Sequence, residues 1–350
     1  MGRLIFSVIV SILILTSFCL ARTWNVPSSE CPTIQAGIDS ASVGDTVLVA
    51  AGTYTGEGNK NLDFGGTDLV LLSAAGPDLT IIDCEESGRG FFLIRGETGA
   101  AVVEGFTVTN GYVLGGWTES CGGGMFCYDS SPTVRRCIFS SNSTTEDGGG
   151  MYCFSASPNV SSCTFSGNSA SIGGGGMSCF ESSFPTVSNC TFSQNSSTAG
   201  WGGGMLCWMS SSPTVSNCTF LANSAYGGSG VYCYDSAYPL IENTIIAFSP
   251  AGEAIRCESG AVATLNCCDV YGNAGGDWVD CIADQLGING NISGDPLFCD
   301  STGDGCYLEC SSPCAPAQQP GCGLIGAWPV DCGASRTEST TWGSIKSVYR

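Results

Sequence analysis

Four consecutive stretches of this chain carry one pattern: GGGMFCYDSSPTVRRCIFSSNS from Gly122, GGGMYCFSASPNVSSCTFSGNS from Gly148, GGGMSCFESSFPTVSNCTFSQNS from Gly174 and GGGMLCWMSSSPTVSNCTFLANS from Gly202. Met125, Met151, Met177 and Met205 lie 26, 26 and 28 residues apart, and the slot then passes to Val231 and, more loosely, to Ile255. A fixed period of this length marks a solenoid, in which a small unit that cannot bury its own apolar face stacks on copies of itself.

Each unit holds short apolar runs, MxC, TV and CTF, parted by Gly, Ser, Pro and Asn. None is long enough for a helix of about ten residues, so helical repeats are excluded and the fold class is all-β. Alternation along a strand sets the parity. Met125 and Cys127 share one face, Val134 follows a Ser-Ser-Pro turn, and Cys137 and Phe139 share a face opposite Ile138, a slot held by Thr164, Thr191 and Thr219 in the next three units. Thr suits a solvated strand position, so Met, Val, Cys and Phe are expected inside. The reverse parity would put the aromatic residues inside instead.

On these residues the units resemble coils of a right-handed parallel β-helix of the pectate-lyase-like superfamily. The Gly-Gly-Gly-Met openings and the FxxN endings (Phe139 to Asn142, Phe165 to Asn168, Phe192 to Asn195, Phe220 to Asn223) are similar to the GGAI and FxxN repeats of polymorphic outer-membrane proteins. The next unit departs from the pattern, since Phe248 is followed by Ala251 where Asn would stand. The resemblance implies a surface-exposed right-handed parallel β-helix solenoid with a short N-terminal capping helix, and it supports fold and surface exposure better than any export route, since those proteins carry a large C-terminal β-barrel that nothing here could build. Residues 32–41, with Ile34, Ile38 and Ala41 on one side, supply that helix, and residues 43–54 begin the first rung. Further strands are expected at residues 69–72, 80–82, 91–94 and 102–108. Roughly ten rungs at about 4.8 Å give a rod about 45 to 50 Å long. Residues 22–332 are expected to form one domain, with clear repeats over 122–273.

Residues 1–21 read as a signal peptide: Arg3, an apolar run over 4–15 apart from serines, and in Cys19-Leu20-Ala21 small residues at the two positions a signal peptidase requires. Phe18 before Cys19 argues against a lipoprotein signal. No later segment approaches 18 apolar residues, so no transmembrane helix is expected. Residues 294–327 are similar to the closing segment of bacterial surface β-helix proteins. Residues 333–350 form a Ser/Thr-rich linker and a basic, aromatic end with Lys346, Tyr349 and Arg350, read either as a sorting tail or as a frayed terminus.

The chain has 23 cysteines, 22 of them beyond the leader. Within the repeats they form two columns: Cys127, Cys153, Cys179, Cys207, Cys233, Cys257, and Cys137, Cys163, Cys190, Cys218, Cys267. Thr244 in the partner slot of Cys233 argues against an obligatory bridge within each rung, and stacked neighbours present parallel Cβ vectors. Buried thiols acting as small hydrophobes are the preferred account over extensive bridging. Zinc is disfavoured because the chain has no His. Disulfides are expected among Cys306, Cys310, Cys314, Cys322 and Cys332, in a loop-rich segment with little core, and more weakly between Cys31 and Cys84.

With Lys and Arg totalling 11 against 31 Asp and Glu, the net charge is −20. Such a surface repels nucleic acid, anionic membranes and uncomplexed polyuronates. From its leader and the resemblance, the chain is expected to be secreted, extracellular or attached to the cell envelope or outer membrane, as a monomer. Its partner is a glycan or a surface protein.

The inward parity leaves an aromatic column outside, Tyr128, Phe154, Phe180, Trp208 and Tyr234, which is the candidate ligand-binding stripe. Stacking that merely stabilises the sheet is the competing reading. Asp129, Glu181 and Asp235 flank the stripe and either hold a hydroxyl or a calcium ion or simply solvate the surface. The segment 300–305, DSTGDG, resembles a calcium loop only weakly, so no cofactor is expected beyond this weak calcium possibility. Arg135 and Arg136 are expected to be solvating. Many β-helices of this superfamily cleave polysaccharides, and a polysaccharide lyase or glycoside hydrolase is the alternative to a non-catalytic adhesion or scaffold role. No Asp-Asp pair and no His point to catalysis, and only Glu85, Glu86, Asp277, Asp280 and Asp284 stand as acids that could meet in space.

Overall fold

In the computed structural model, which describes residues 21–115, 120–299 and 306–332, the chain winds as a parallel β-solenoid of about nine turns. Residues 1–20, 116–119, 300–305 and 333–350, and with them the readings of a leader (apart from Ala21), a calcium-binding segment and a sorting tail, lie outside the described residues. Three parallel walls run the length of the coil. The methionine wall has seven strands, from Phe91–Leu93 through Met125–Tyr128, Met151–Phe154, Met177–Phe180, Met205–Cys207 and Val231–Cys233 to Ile255–Cys257. The valine wall has ten, from Thr23–Val26 to Thr264–Asn266, and the phenylalanine wall nine, from Gly52–Tyr54 to Asp269–Tyr271. A fourth, four-stranded ladder of two-residue strands joins the phenylalanine wall back to the methionine wall.

Like pairs with like across the rungs. Met125 lies beside Met151, Cys127 beside Cys153, Val134 beside Val160 and Phe139 beside Phe165. All of these side chains are buried in the lumen, so the parity read from the alternation holds. Phe139, Phe165, Phe192 and Phe220 stack with centroids 5.1, 4.7 and 4.6 Å apart. Each such pair contributes about 0.5–1.5 kcal/mol beyond its area burial.

Beside them runs a buried asparagine ladder. The Oδ1 of Asn142, Asn168, Asn195 and Asn223 accepts from the backbone N–H one rung back, and each Nδ2 donates to a carbonyl such as Val108 O or Phe165 O. The FxxN endings therefore satisfy backbone groups at a corner where no strand does so. The apparent break in the fifth unit is a matter of register. Ile246 takes the Phe slot and Ser249 the Asn slot, and the ladder resumes at Asn273. Asn142, one of the Asn-x-Ser/Thr triplets, has its amide fully committed inside.

The glycine triplets allow the chain to turn onto the methionine wall. Gly148 has a φ of +72°. A Cβ on Gly149 would lie 2.6 Å from both Gly175 O and Ser169 O.

At the N-terminal end, helix Ile34–Ser40 covers the lumen, with Ile34 and Ile38 in the core and Thr33 capping it by accepting from Ala36 N–H. The expected strand over 102–108 is two strands, Val102–Glu104 and Thr107–Thr109, split at the corner where Gly105 has a φ of +82°. At the other end Trp278, Cys281 and Ile282 pack against the core, stapled by the Cys257–Cys281 disulfide.

The cysteine columns are filled with thiols except at that end. Cys127, Cys153, Cys179, Cys207 and Cys233 form one buried ladder, and Cys137, Cys163, Cys190 and Cys218 the other. The second is continued by Cys268 and not by Cys267. Five consecutive valine-to-phenylalanine corners carry a left-handed residue (Arg136, Ser162, Asn189, Asn217, Asn243), and Cys267, with φ of 54°, occupies that outward slot in the next and bridges to Cys322. The remaining disulfide joins Cys299 to Cys332, so Cys322 and Cys332 are bridged to partners outside the expected group. Cys314, Cys31 and Cys84 are buried thiols; the expected Cys31–Cys84 bridge is absent. Burial and the neighbouring thiols push the ladder cysteines such as Cys153, Cys163, Cys190 and Cys207 well above the usual thiol range. Protonated and inaccessible, they are expected to be silent to a thiol-specific disulfide reagent in the native protein and to react once guanidinium unfolds it. The exposed thiol of Cys310 is expected to react in the native protein; reaction of the ladder cysteines there too, or none after unfolding, would contradict this account of the ladders.

One face read as solvated is covered. Thr191 and Thr219 are buried because the C-terminal segment runs along the outside of the phenylalanine wall. Trp328 Nε1 donates to Thr191 Oγ1 (2.7 Å), Ala327 N–H donates to Thr219 Oγ1 (3.0 Å), and Ile325 and Leu308 pack on Ile245 and Ala247.

Candidate functional site

The sequence-derived stripe exists as a column on the outer side of the methionine wall, at the corner where the chain turns towards the valine wall. Tyr128 and Phe154 stack at 5.1 Å, Phe154 and Phe180 at 5.6 Å, Phe180 and Trp208 at 5.6 Å, and Trp208 meets Tyr234 edge-on at 5.0 Å. The parallel register of the wall brings them together, one ring per rung. Tyr128 is 37 % exposed, Phe154, Trp208 and Tyr234 are half-buried, and Phe180 is only 3 % exposed, having turned towards Tyr152 at 6.2 Å. Because ring faces are used on neighbouring rings, the column offers mainly edges to solvent.

The residues between the column and the lumen, Phe126, Tyr152, Leu206 and Tyr232, point out of the coil and are nevertheless buried. They form a second apolar layer, closed by the segments that enter each rung. Trp201 stacks on Tyr232 at 5.5 Å, and the Arg89 guanidinium lies 4.8 and 5.2 Å from the Phe92 and Phe126 ring centroids. Gly173 stands where a Cβ would strike Leu206, and Gly227 where one would lie 2.9 Å from Arg256 Cδ. Large covers small and small covers large, which fixes the outer layer against the wall.

Within that layer Asp147 and Ser178 are buried, and Asp147 Oδ1 and Ser178 Oγ have no hydrogen-bond partner. Burial pushes the Asp147 pKa up to about 7, and the Glu146 carboxylate adds to the shift. The sign follows from linkage: the folded state favours neutral Asp147. The stability gained is complete below about pH 4 and is lost as pH rises through about 7, up to about 4 kcal/mol in total. Asp147→Asn is expected to flatten the fall in unfolding free energy between about pH 4 and 7. An unchanged slope would remove Asp147 as its source.

Two further exposed rings sit on the same corner and escaped the reading of the sequence. Phe184 is 53 % and Tyr238 56 % exposed. Each directly precedes the proline that opens a valine-wall strand, Pro185 or Pro239, where three other units have Ser131, Ser157 and Ser212. That departure from serine was the available signal. Asp129, Glu181 and Asp235 all hold left-handed backbone at the corner, with φ of 47°, 52° and 51°. They stand on alternate rungs, about 10 Å apart, which is too far for two of them to share one calcium ion.

The acids considered for catalysis fall into two groups far apart on the coil, Glu85 with Glu86 and Asp277 with Asp280 and Asp284. Glu85 pairs with Lys60 and accepts from Gly56 N–H beside the second strand of the phenylalanine wall. Asp277 accepts from Gly272 and Asn273 beyond the ninth strand, seven rungs or roughly 34 Å away. Arg135 and Arg136 both pair with Glu104 at the surface, in keeping with a solvating role. A cleft of about 450 Å³ between the phenylalanine wall and the C-terminal segment is lined by Gln194, Leu221, Phe248, Asp295, Phe298 and Glu309. Its two carboxylates are engaged locally, Asp295 accepting from Leu297 N–H and Glu309 from Ser311 Oγ. Among the described residues no helix is long and apolar enough to cross a membrane.

Wall order, parallel register and stacked corners together define a parallel β-solenoid with a decorated lateral face. A family model described as right handed beta helix region matches residues 68–201 and 170–293, well over half of the chain, and the chain belongs to that family. No curated protein and no solved structure matches it.

Proposed function

We propose that this chain is a secreted or envelope-attached, monomeric β-helix without a cofactor, that it is not catalytic, and that it acts in adhesion or as a scaffold by holding a glycan at its methionine–valine corner. The observation that supports this reading is the continuous aromatic corner: a stacked column in which Tyr128, Trp208 and Tyr234 reach solvent, beside the open rings of Phe184 and Tyr238. The open faces of Phe184 and Tyr238 meet the apolar faces of sugars, and the stacked column beside them adds apolar ring edges held rigid before binding. The neighbouring carboxylates of Glu181 and Asp235 accept hydrogen bonds from hydroxyls. The acidic balance of the chain favours neutral or cationic partners over anionic ones.

Trp208 is half-buried, lies mid-column and makes no lumen contact, so Trp208→Ser is expected to leave the fold intact and to weaken retention in polysaccharide-containing gels several-fold. Equal retention of both proteins would assign the column to sheet stabilisation alone.

A further inference from the structure

We infer that the ligand of this corner is an extended, β-linked polysaccharide, uncharged or cationic, lying along the coil axis with alternate sugar rings seated on Phe184 and Tyr238. The inference rests on the proposed glycan-binding role and adds the class of glycan and its direction. Phe184 and Tyr238 hold equivalent positions. The Phe184 N–H donates to Ser157 Oγ and the Tyr238 N–H to Ser212 Oγ, both at 3.0 Å, so each is fixed at the same height of the corner by the rung before it. Unlike the column, neither makes a ring contact among the described residues, which leaves ring faces open at more than half exposure.

One rung, that of Ser212, separates them, which sets the two rings about 10 Å apart along the axis. In a β-1,4-linked chain successive sugars are turned over, so alternate units present the same face at a comparable repeat. An α-1,4-linked chain curls and does not keep two faces on one straight line. Ser212, half-buried between the two platforms, accepts from Tyr238 N–H and donates to Ser210 O, which leaves one lone pair of its hydroxyl to accept from the intervening sugar. The corner segments 180–185, 208–213 and 234–239 contain no Lys or Arg and carry Glu181 and Asp235, so nothing there receives the carboxylates of a polyuronate.

The test is calorimetric titration of the purified protein with cellohexaose, chitohexaose, maltohexaose and polygalacturonate, repeated with Phe184→Ala, Tyr238→Ala, the double variant and Trp208→Ser. Both side chains are exposed, so the variants are expected to keep the parent unfolding midpoint. The expected result is binding of a β-linked hexaose over maltohexaose and polygalacturonate, weakened about tenfold by either substitution and lost in the double variant. Preference for maltohexaose or polygalacturonate, with loss in Trp208→Ser, would overturn the inference and leave the corner reading standing. Binding of a β-linked hexaose that survives the double variant would overturn the inference as well. Binding of none of the four would overturn both.

Discussion

Asn195→Ala is expected to destabilise the coil by about 3–6 kcal/mol, read as a large drop in the urea midpoint. The Asn195 amide makes four buried hydrogen bonds. Its Oδ1 accepts from Asn168 N and Nδ2, both at 3.0 Å, while its Nδ2 donates to Phe165 O at 2.9 Å and to Asn223 Oδ1 at 3.0 Å. Alanine replaces none of them. A main-chain N–H, a main-chain carbonyl and two neighbouring amides lose partners in a region closed to water, and each stranded group costs about 1–3 kcal/mol. Some of that is recovered as the neighbouring amides reorient. Thr186→Ala, on an exposed valine-wall position, is the matched control and should shift stability by no more than about 0.5 kcal/mol. Similar midpoints for the two variants would mean that the ladder carries no weight.

Gly149→Ala is expected to be worse tolerated, with loss of cooperative unfolding or of soluble protein. The added methyl would lie 2.6 Å from Gly175 O on the next rung and 2.6 Å from Ser169 O, and both obstacles are backbone. Gly175 O already accepts from Gly150 N–H at 3.0 Å, so relief requires opening the rung-to-rung ladder at the point where the chain enters the methionine wall. Gly167→Ala separates this crowding from backbone conformation. Gly167 has a φ of +61° with nothing within 4 Å of a built Cβ, so its cost is confined to the left-handed strain of about 1–2 kcal/mol. A Gly149 variant no less stable than the Gly167 variant would contradict the close approach between rungs.

What could be read from the residues is the part of the structure that repeats. Met125, Cys127, Val134 and Phe139 recur in phase; alternation sets which of them share a face, and the structure turns those faces to the lumen. The errors lie where the repeat is broken or where distant segments meet. In Asn266-Cys267-Cys268 both cysteines suit the column by type. Only the left-handed slot filled by Asn243 and Asn217 in earlier rungs shows that Cys267 must turn outward. Thr219 looks solvated within its own unit, and it is buried by Ala327, more than 100 residues away.

The outer layer over the methionine wall was illegible for a related reason. Trp201 over Tyr232 and Gly173 over Leu206 pair residues from different rungs, and the offset between rungs is set by the loops. The stripe itself was legible as a column, because strand register carries one ring from each unit to the next. That its ring faces are consumed by stacking, while Phe184 and Tyr238 stay open, depends on side-chain packing that no periodicity encodes.

The account turns on a corner that binds without cutting. The most direct measurement incubates the purified protein with a panel of soluble neutral and anionic polysaccharides, with and without calcium, and follows retention together with the appearance of new reducing ends and unsaturated products. The expected result is calcium-independent retention of a neutral polysaccharide, reduced in Trp208→Ser, with no products. Cleavage products would contradict the account and direct attention to Asp295 and Glu309 in the cleft beside the phenylalanine wall.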